Sequence, residues 1–162
     1  MKPKFILVMG VSGCGKTTVG KALAAQLGWP FYDADEYHTP ENVEKMRKGI
    51  PLSDDDRTPW LEALHNLIMR HLEVNKPGVL ACSALKENYR RTLLQGCKDV
   101  FIVYLKGSYE LIWSRMADRS DHYMKPNMLK SQFEALEEPV DALTIDVSPP
   151  VSEITAQIMG CL

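Results

Sequence analysis

The sequence predicts an α/β fold in which a largely parallel sheet is covered by helices on both faces. Three observations carry this. Short apolar runs alternate with longer amphipathic stretches, a phosphate-loop motif follows the first run, and no repeat or linker divides the 162 residues. The runs read as buried strands are Phe5–Met9, Pro30–Tyr32, Val79–Cys82, Val100–Leu105 and Leu143–Val147. Between them, Leu61, Leu64, Ile68 and Leu72 recur at helical spacing, as do Leu129, Phe133 and Leu136. Thr39-Pro40 and Thr58-Pro59 each set a capping residue before a proline suited to a first helical turn. Gly28, Gly49 and Gly96 fall where helices can stop. In such a fold crossovers are right-handed, and ligands sit beyond the carboxyl ends of the strands.

Composition narrows the class of partner. The length suits one domain, at roughly 100–200 residues per domain. Nineteen Lys and Arg against 21 Asp and Glu give a formal charge of −2. No cationic excess favours nucleic acid or an anionic membrane surface. The run Phe5–Met9 is too short to span a bilayer or to serve as a secretory segment. Cys14, Cys82, Cys97 and Cys161 are widely spaced with no CxxC pair, which points to a reduced, cytoplasmic setting.

The strongest signal is Gly10-Val11-Ser12-Gly13-Cys14-Gly15-Lys16-Thr17, which matches G-x-x-x-x-G-K-[ST] at every fixed position. Glycines let backbone N–H groups curl around phosphate oxygens, and the following helix, opening through Thr18, presents its positive end to the anion. Lys16 suits the β- and γ-phosphates of ATP, and the Thr17 hydroxyl suits Mg²⁺. A GTPase switch would need Asn-Lys-x-Asp; Asn75-Lys76-Pro77-Gly78 lacks the final Asp and reads as a turn. A small-molecule kinase is expected.

The acceptor side follows the second strand run. Asp33 and Asp35 stand at i and i+2 of an extended segment, on one side of the chain. One carboxylate can serve the metal and the other can take the proton of an attacking hydroxyl. The pair equally suits a polar turn in which one carboxylate caps the next helix. Asp54, Asp55 and Asp56 complement a helix dipole and need no catalytic role. Arg57, Lys86 and Arg90 together suggest an anionic acceptor, with Ser83 beside them and Arg91 facing solvent. His38 lies in a site region, whereas His65 and His71 fall within the Trp60 helix and read as structural. Arg115, Arg119, His122 and Lys125 flank or occupy a polar stretch at about 118–126, suited to a lid that closes over ATP.

With these pieces placed, the chain resembles the phosphate-loop gluconokinases, relatives of the shikimate and nucleoside monophosphate kinases. The resemblance covers essentially the whole sequence. Its more specific blocks are Pro51–Leu61 and Cys82-Ser83-Ala84-Leu85-Lys86, with Asp33-Ala34-Asp35, Tyr37-His38 and Gln132–Glu137 beside them. It implies a single P-loop NTPase domain with a five-stranded parallel sheet, nucleoside-monophosphate-kinase-like, and a lid. It also implies a homodimer that transfers the ATP γ-phosphoryl group to the terminal hydroxyl of D-gluconate. The implied roles are Lys16 and Thr17 on phosphates and Mg²⁺, Asp33 on the metal side, and Asp35 as hydroxyl binder or base. His38, Arg57, Ser83, Lys86 and Arg90 would line the acceptor site, and Arg115 and Arg119 would serve ATP. Shikimate kinases carry a glycine triplet after the third strand, where this chain has Cys82–Lys86. A shikimate-type or nucleotide kinase, or a non-catalytic nucleotide-binding regulator, is the alternative.

Two departures from the family pattern stand out. Asp121 precedes His122 where glycine is usual, and Cys14 replaces a serine. A thiol beside a helix N-terminus and Lys16 is expected to be acidic and reactive, with Mg·ATP protecting it from alkylation. The alternative is a small residue that simply fits.

Overall fold

A computed structural model describes residues 4–117 and 126–162. The first half runs β1 (Phe5–Met9), α1 (Lys16–Leu27), β2 (Phe31–Asp33), a short 3₁₀ turn (Ala34–Tyr37), α2 (Pro40–Arg47) and α3 (Asp54–Glu73). It continues through β3 (Val79–Ala81), α4 (Glu87–Leu93), β4 (Val100–Lys106), α5 (Tyr109–Ala117), α6 (Pro126–Ala135), β5 (Leu143–Asp146) and α7 (Val151–Gly160). The five strands form one parallel sheet in the order β2-β3-β1-β4-β5. The five expected strand runs therefore correspond to the five strands, with ends moved by at most one residue.

Burial explains why these runs were visible. Every residue of β1 is fully buried, because a central parallel strand is covered on both faces. Ile6 and Val8 face a layer built from α1, α5, α6 and α7, including Val19, Leu23, Ile112, Leu129 and Ile154. Phe5, Leu7 and Met9 face the opposite layer, where Trp60, Leu64 and Ile68 of α3 and Leu93 of α4 pack. Two helix layers thus sandwich the sheet. The chain moves outward from β1 in both directions, so a crevice opens beyond its carboxyl end, where the phosphate loop begins.

Local chemistry sets the helix ends. Thr39 caps α2 by accepting the Asn42 N–H at 3.2 Å, with Pro40 as first helical residue. The expected start at Thr58-Pro59 is corrected: α3 begins one turn earlier, at Asp54. Ser53 and Asp56 form a reciprocal capping box there, and this outcompetes the proline signal. Asp54, Asp55 and Asp56 occupy the first turn of α3, as the dipole argument requires. Gly28 ends α1 at φ 70°, a left-handed conformation that glycine adopts without penalty. His71 bridges the Tyr32 hydroxyl (2.8 Å) and the Lys76 carbonyl (2.9 Å), and His65 meets the Leu93 carbonyl. Both histidines are structural. No helix among the described residues is long and apolar enough to cross a membrane.

Candidate active site

The phosphate loop leaves β1 at Gly10, where only glycine fits. A Cβ there would stand 2.7 Å from Cys14 Sγ and 2.8 Å from the Leu105 carbonyl oxygen. The loop ends at Gly15, which adopts φ 97° as it turns into α1. Unlike α2 and α3, α1 has no side-chain cap and no acidic residue in its first turn. Its first N–H groups have no side-chain acceptor, which is the arrangement an anion completes. Val11 and Cys14 are buried beneath the loop, and Thr18 is exposed on the first turn of α1.

On the acceptor-facing side, Asp33 ends β2 with both carboxylate oxygens engaged. Oδ1 accepts the Asp35 N–H at 3.0 Å, and Oδ2 accepts the Thr17 hydroxyl at 3.3 Å. Asp33 is thus the cap of the 3₁₀ turn, as the capping reading of the Asp-x-Asp pair expects, and the partner of the Thr17 hydroxyl. A hydroxyl and a carboxylate are hard oxygen donors, a set that fits Mg²⁺ when phosphates and water complete the shell. Among the described residues no group of three or more His, Cys, Asp or Glu could hold a metal by itself.

Beside the loop lies a cavity of about 210 Å³. Ser12 and Lys16 form its phosphate end, with Asp35, His38, Arg57 and Ser83 around it. Met46, Ile50, Pro51 and Leu52 supply an apolar wall between α2 and α3, and Met128, Ser131 and Gln132 of α6 close another side. Phosphate-loop residues and four of the expected acceptor residues, Asp35, His38, Arg57 and Ser83, therefore share one cleft.

Its two cationic and aromatic anchors are preorganised. Arg57 Nη1 donates to the Leu52 carbonyl at 2.8 Å and to the Tyr89 hydroxyl at 2.9 Å, while Tyr89 donates to Asp54 Oδ1 at 2.5 Å. Burial and the Asp54 bond push the Tyr89 phenol up to about 12, so it stays protonated as the link between the two charges. His38 stacks on Trp60 at 4.3 Å, and the Trp60 indole N–H is fixed on the Ala34 carbonyl at 2.7 Å. Buried Asn42 donates to the Asp56 carbonyl at 2.8 Å, which orients its amide and aims the other N–H at His38 Nδ1, 3.4 Å away. The ring therefore carries its proton on Nε2.

Burial lowers the His38 pKa below its ordinary 6.5; Asp35 opposes this and Arg57 reinforces it. Below about pH 6.5 the unfolded chain then binds more protons at this site than the folded one. His38 accordingly costs stability as the pH falls from that value, and costs nothing well above it. Melting temperatures should fall less between about pH 7.5 and pH 5 in His38→Gln than in the parent, on this linkage. Parallel declines would contradict it.

Not every expected residue lines this cavity. Arg90 does not reach the cavity. It is buried, and its guanidinium holds the carbonyls of Ala84 (2.6 Å), Leu85 (3.1 Å) and Glu137 (2.7 Å). It fastens the loop that carries Ser83, in which Ala84 takes φ 44°. Lys86 also stands outside the cavity, with Nζ 5.7 Å from the Tyr89 ring centre. Arg115 Nη2 lies 3.3 Å from the Ser148 carbonyl. Arg119, His122, Lys125 and Asp121 lie outside the described residues. The acidic Cys14 thiol is corrected as well: Cys14 is 1% exposed, and burial pushes its pKa up despite Lys16. Iodoacetamide should label exposed Cys161 and leave Cys14 unmodified in the native protein, as read by peptide mass spectrometry. Rapid Cys14 labelling would refute this.

Similarity to known proteins agrees with the geometry. The family model described as shikimate kinase matches residues 12–159. A probable gluconokinase of Mus musculus is 46% identical over 99% of this chain and 98% of its own length. The thermosensitive gluconokinase of Escherichia coli is 43% identical over 97% of this chain and 86% of its own. The crystal structure of a gluconokinase from Sinorhizobium meliloti superposes with a TM-score of 0.88 at 42% identity, covering 98% of this chain and 90% of that one. A phosphate loop and near-complete alignment lead to one conclusion: the chain belongs to the gluconokinase family, within the wider shikimate-kinase-like group of ATP-dependent kinases.

Proposed function

We propose that this enzyme transfers the γ-phosphoryl group of ATP to the terminal hydroxyl of D-gluconate, giving 6-phosphogluconate and ADP. The observation that carries the reading is the single cleft with Lys16 at one end and Asp35, His38 and Arg57 around the other. The uncapped start of α1 and Lys16 would hold the triphosphate. Thr17 and Asp33 would hold Mg²⁺, which when bound offsets phosphate charge. Asp35 takes the proton of the acceptor hydroxyl as its oxygen bonds to the γ-phosphorus, and the bond from that phosphorus to the ADP oxygen breaks. Arg57 binds the acceptor carboxylate through the donors that Leu52 and Tyr89 leave available, and neutral His38 offers Nε2–H to a hydroxyl oxygen. Ser83 adds a further hydroxyl at the rim. A homodimer, which rests on the family resemblance, and a cytoplasmic setting, which rests on the cysteine pattern, are part of the same proposal.

The test is ADP release with Mg·ATP against gluconate, shikimate, AMP and neutral sugars. Preference for gluconate is expected. Preference for shikimate or AMP would overturn the acceptor assignment, and absence of turnover with every acceptor would favour a nucleotide-binding regulator.

A further inference from the structure

The helix after the segment 118–125 presents two different faces. Leu129 is fully buried, Phe133 packs edge-on against Tyr109 at 5.6 Å, and Leu136 joins the same layer. That stripe anchors α6 to the body of the fold. Met128, Ser131 and Gln132 form the other face and line the cavity. The spacing i, i+3, i+4 places them together on one side of the helix.

Gln132 reaches furthest toward the reaction. Its Oε1 accepts the backbone N–H of Ser12 at 2.6 Å, a contact across 120 positions of sequence. An N–H can only be met by an acceptor, so this bond settles which end of the amide is oxygen. Nε2 is then the end left for the cavity, where Lys16, Asp35 and Ser83 also stand. Among the described residues no protein acceptor meets it. The anchoring stripe already holds α6, so a tether alone does not account for a neutral double donor between phosphate loop and acceptor cavity.

We propose that Gln132 is a catalytic residue whose Nε2–H groups hold the oxygens of the phosphoryl group as it passes from ATP toward the acceptor hydroxyl. The inference rests on the kinase reading above. Charge spreads over three equatorial oxygens in such a transfer, and aligned donors act where it develops. A neutral amide does this without neutralising Asp35, which a second lysine at this position would do.

Gln132→Glu separates this role from a structural one. Glutamate keeps an acceptor for the Ser12 N–H, so it preserves the tether, but it replaces both donors with a negatively charged oxygen. The expected result is a kcat lower by about 10²-fold or more, with a melting temperature close to the parent. Gln132→Met, which has neither donor nor charge, should also lower kcat, and it covers the case in which the glutamate variant folds poorly. Retention of near-parental kcat in Gln132→Glu, or in Gln132→Met, would overturn the proposal. Parental turnover with gluconate is measured first. Its absence would sink the gluconate reading separately, and the same comparison then runs on acceptor-free ATP hydrolysis, where the same losses are expected and parental rates would again overturn it.

Discussion

Asp35→Asn is expected to lower turnover by about 10²- to 10⁴-fold, the usual contribution of a positioned general base, while ATP affinity stays near that of the parent. The expectation follows from where the side chain sits. Asp35 lines the acceptor cavity, and its own backbone N–H is held by Asp33 at 3.0 Å. The amide is nearly isosteric with the carboxylate, so the 3₁₀ turn and the Thr17–Asp33 contact should persist. What disappears is the ability to take a proton. Steady-state kinetics paired with calorimetric ATP titration read the two effects apart. Comparable turnover in this variant would remove Asp35 as the base.

The second large effect is expected at Arg57. A hydrogen bond to a charged group contributes about 1.5–3 kcal/mol, so Arg57→Lys should raise the KM for gluconate roughly 10- to 100-fold with a smaller change in kcat. Lysine keeps the positive charge but loses the fork. It cannot hold Leu52 and Tyr89 through one nitrogen while offering others to a carboxylate. A neutral alditol of the same length has no carboxylate to lose, so its phosphorylation should respond far less. Equal losses for gluconate and the alditol would show that Arg57 does not read the carboxylate.

The parts of the fold legible in the sequence were those in which one interaction dominates. Phe5–Met9 reads as a strand because both faces of a central parallel strand are buried, which leaves an uninterrupted apolar run. The loop Gly10–Thr17 is legible because phosphate binding constrains successive backbone positions at fixed spacing. Thr58-Pro59 misled because a proline can sit within the second turn of a helix once a stronger cap lies upstream, as Ser53 does with Asp56.

Site residues were less legible wherever direction decided the outcome. Arg90 and Lys86 lie close in sequence to Ser83, but only the turn of α4 shows that Arg90 serves three carbonyls instead of the cleft. Lys16 beside Cys14 was visible, whereas the burial that outweighs it comes from the core layer Cys14 shares with Leu105, Ile112 and Met116, all distant in sequence. Gln132 stands in the sequence only as the first residue of the Gln132–Glu137 resemblance block, with no role attached. Its neighbours Leu129 and Phe133 mark α6 as amphipathic, and the polar face becomes a site only because α6 packs back over Ser12. The role of Asn42 was likewise hidden, since it lies in orienting His38 and bonding the Asp56 carbonyl.

In the proposed reaction this cleft places a sugar acid's terminal hydroxyl on Asp35 and its carboxylate on Arg57. The most direct measurement is NMR identification of the product formed from Mg·ATP and ¹³C-labelled D-gluconate. A phosphomonoester coupled to the terminal methylene carbon is expected, appearing in step with ADP. Phosphorus on any other carbon, or no phosphorylated gluconate while shikimate or AMP is consumed, would contradict it.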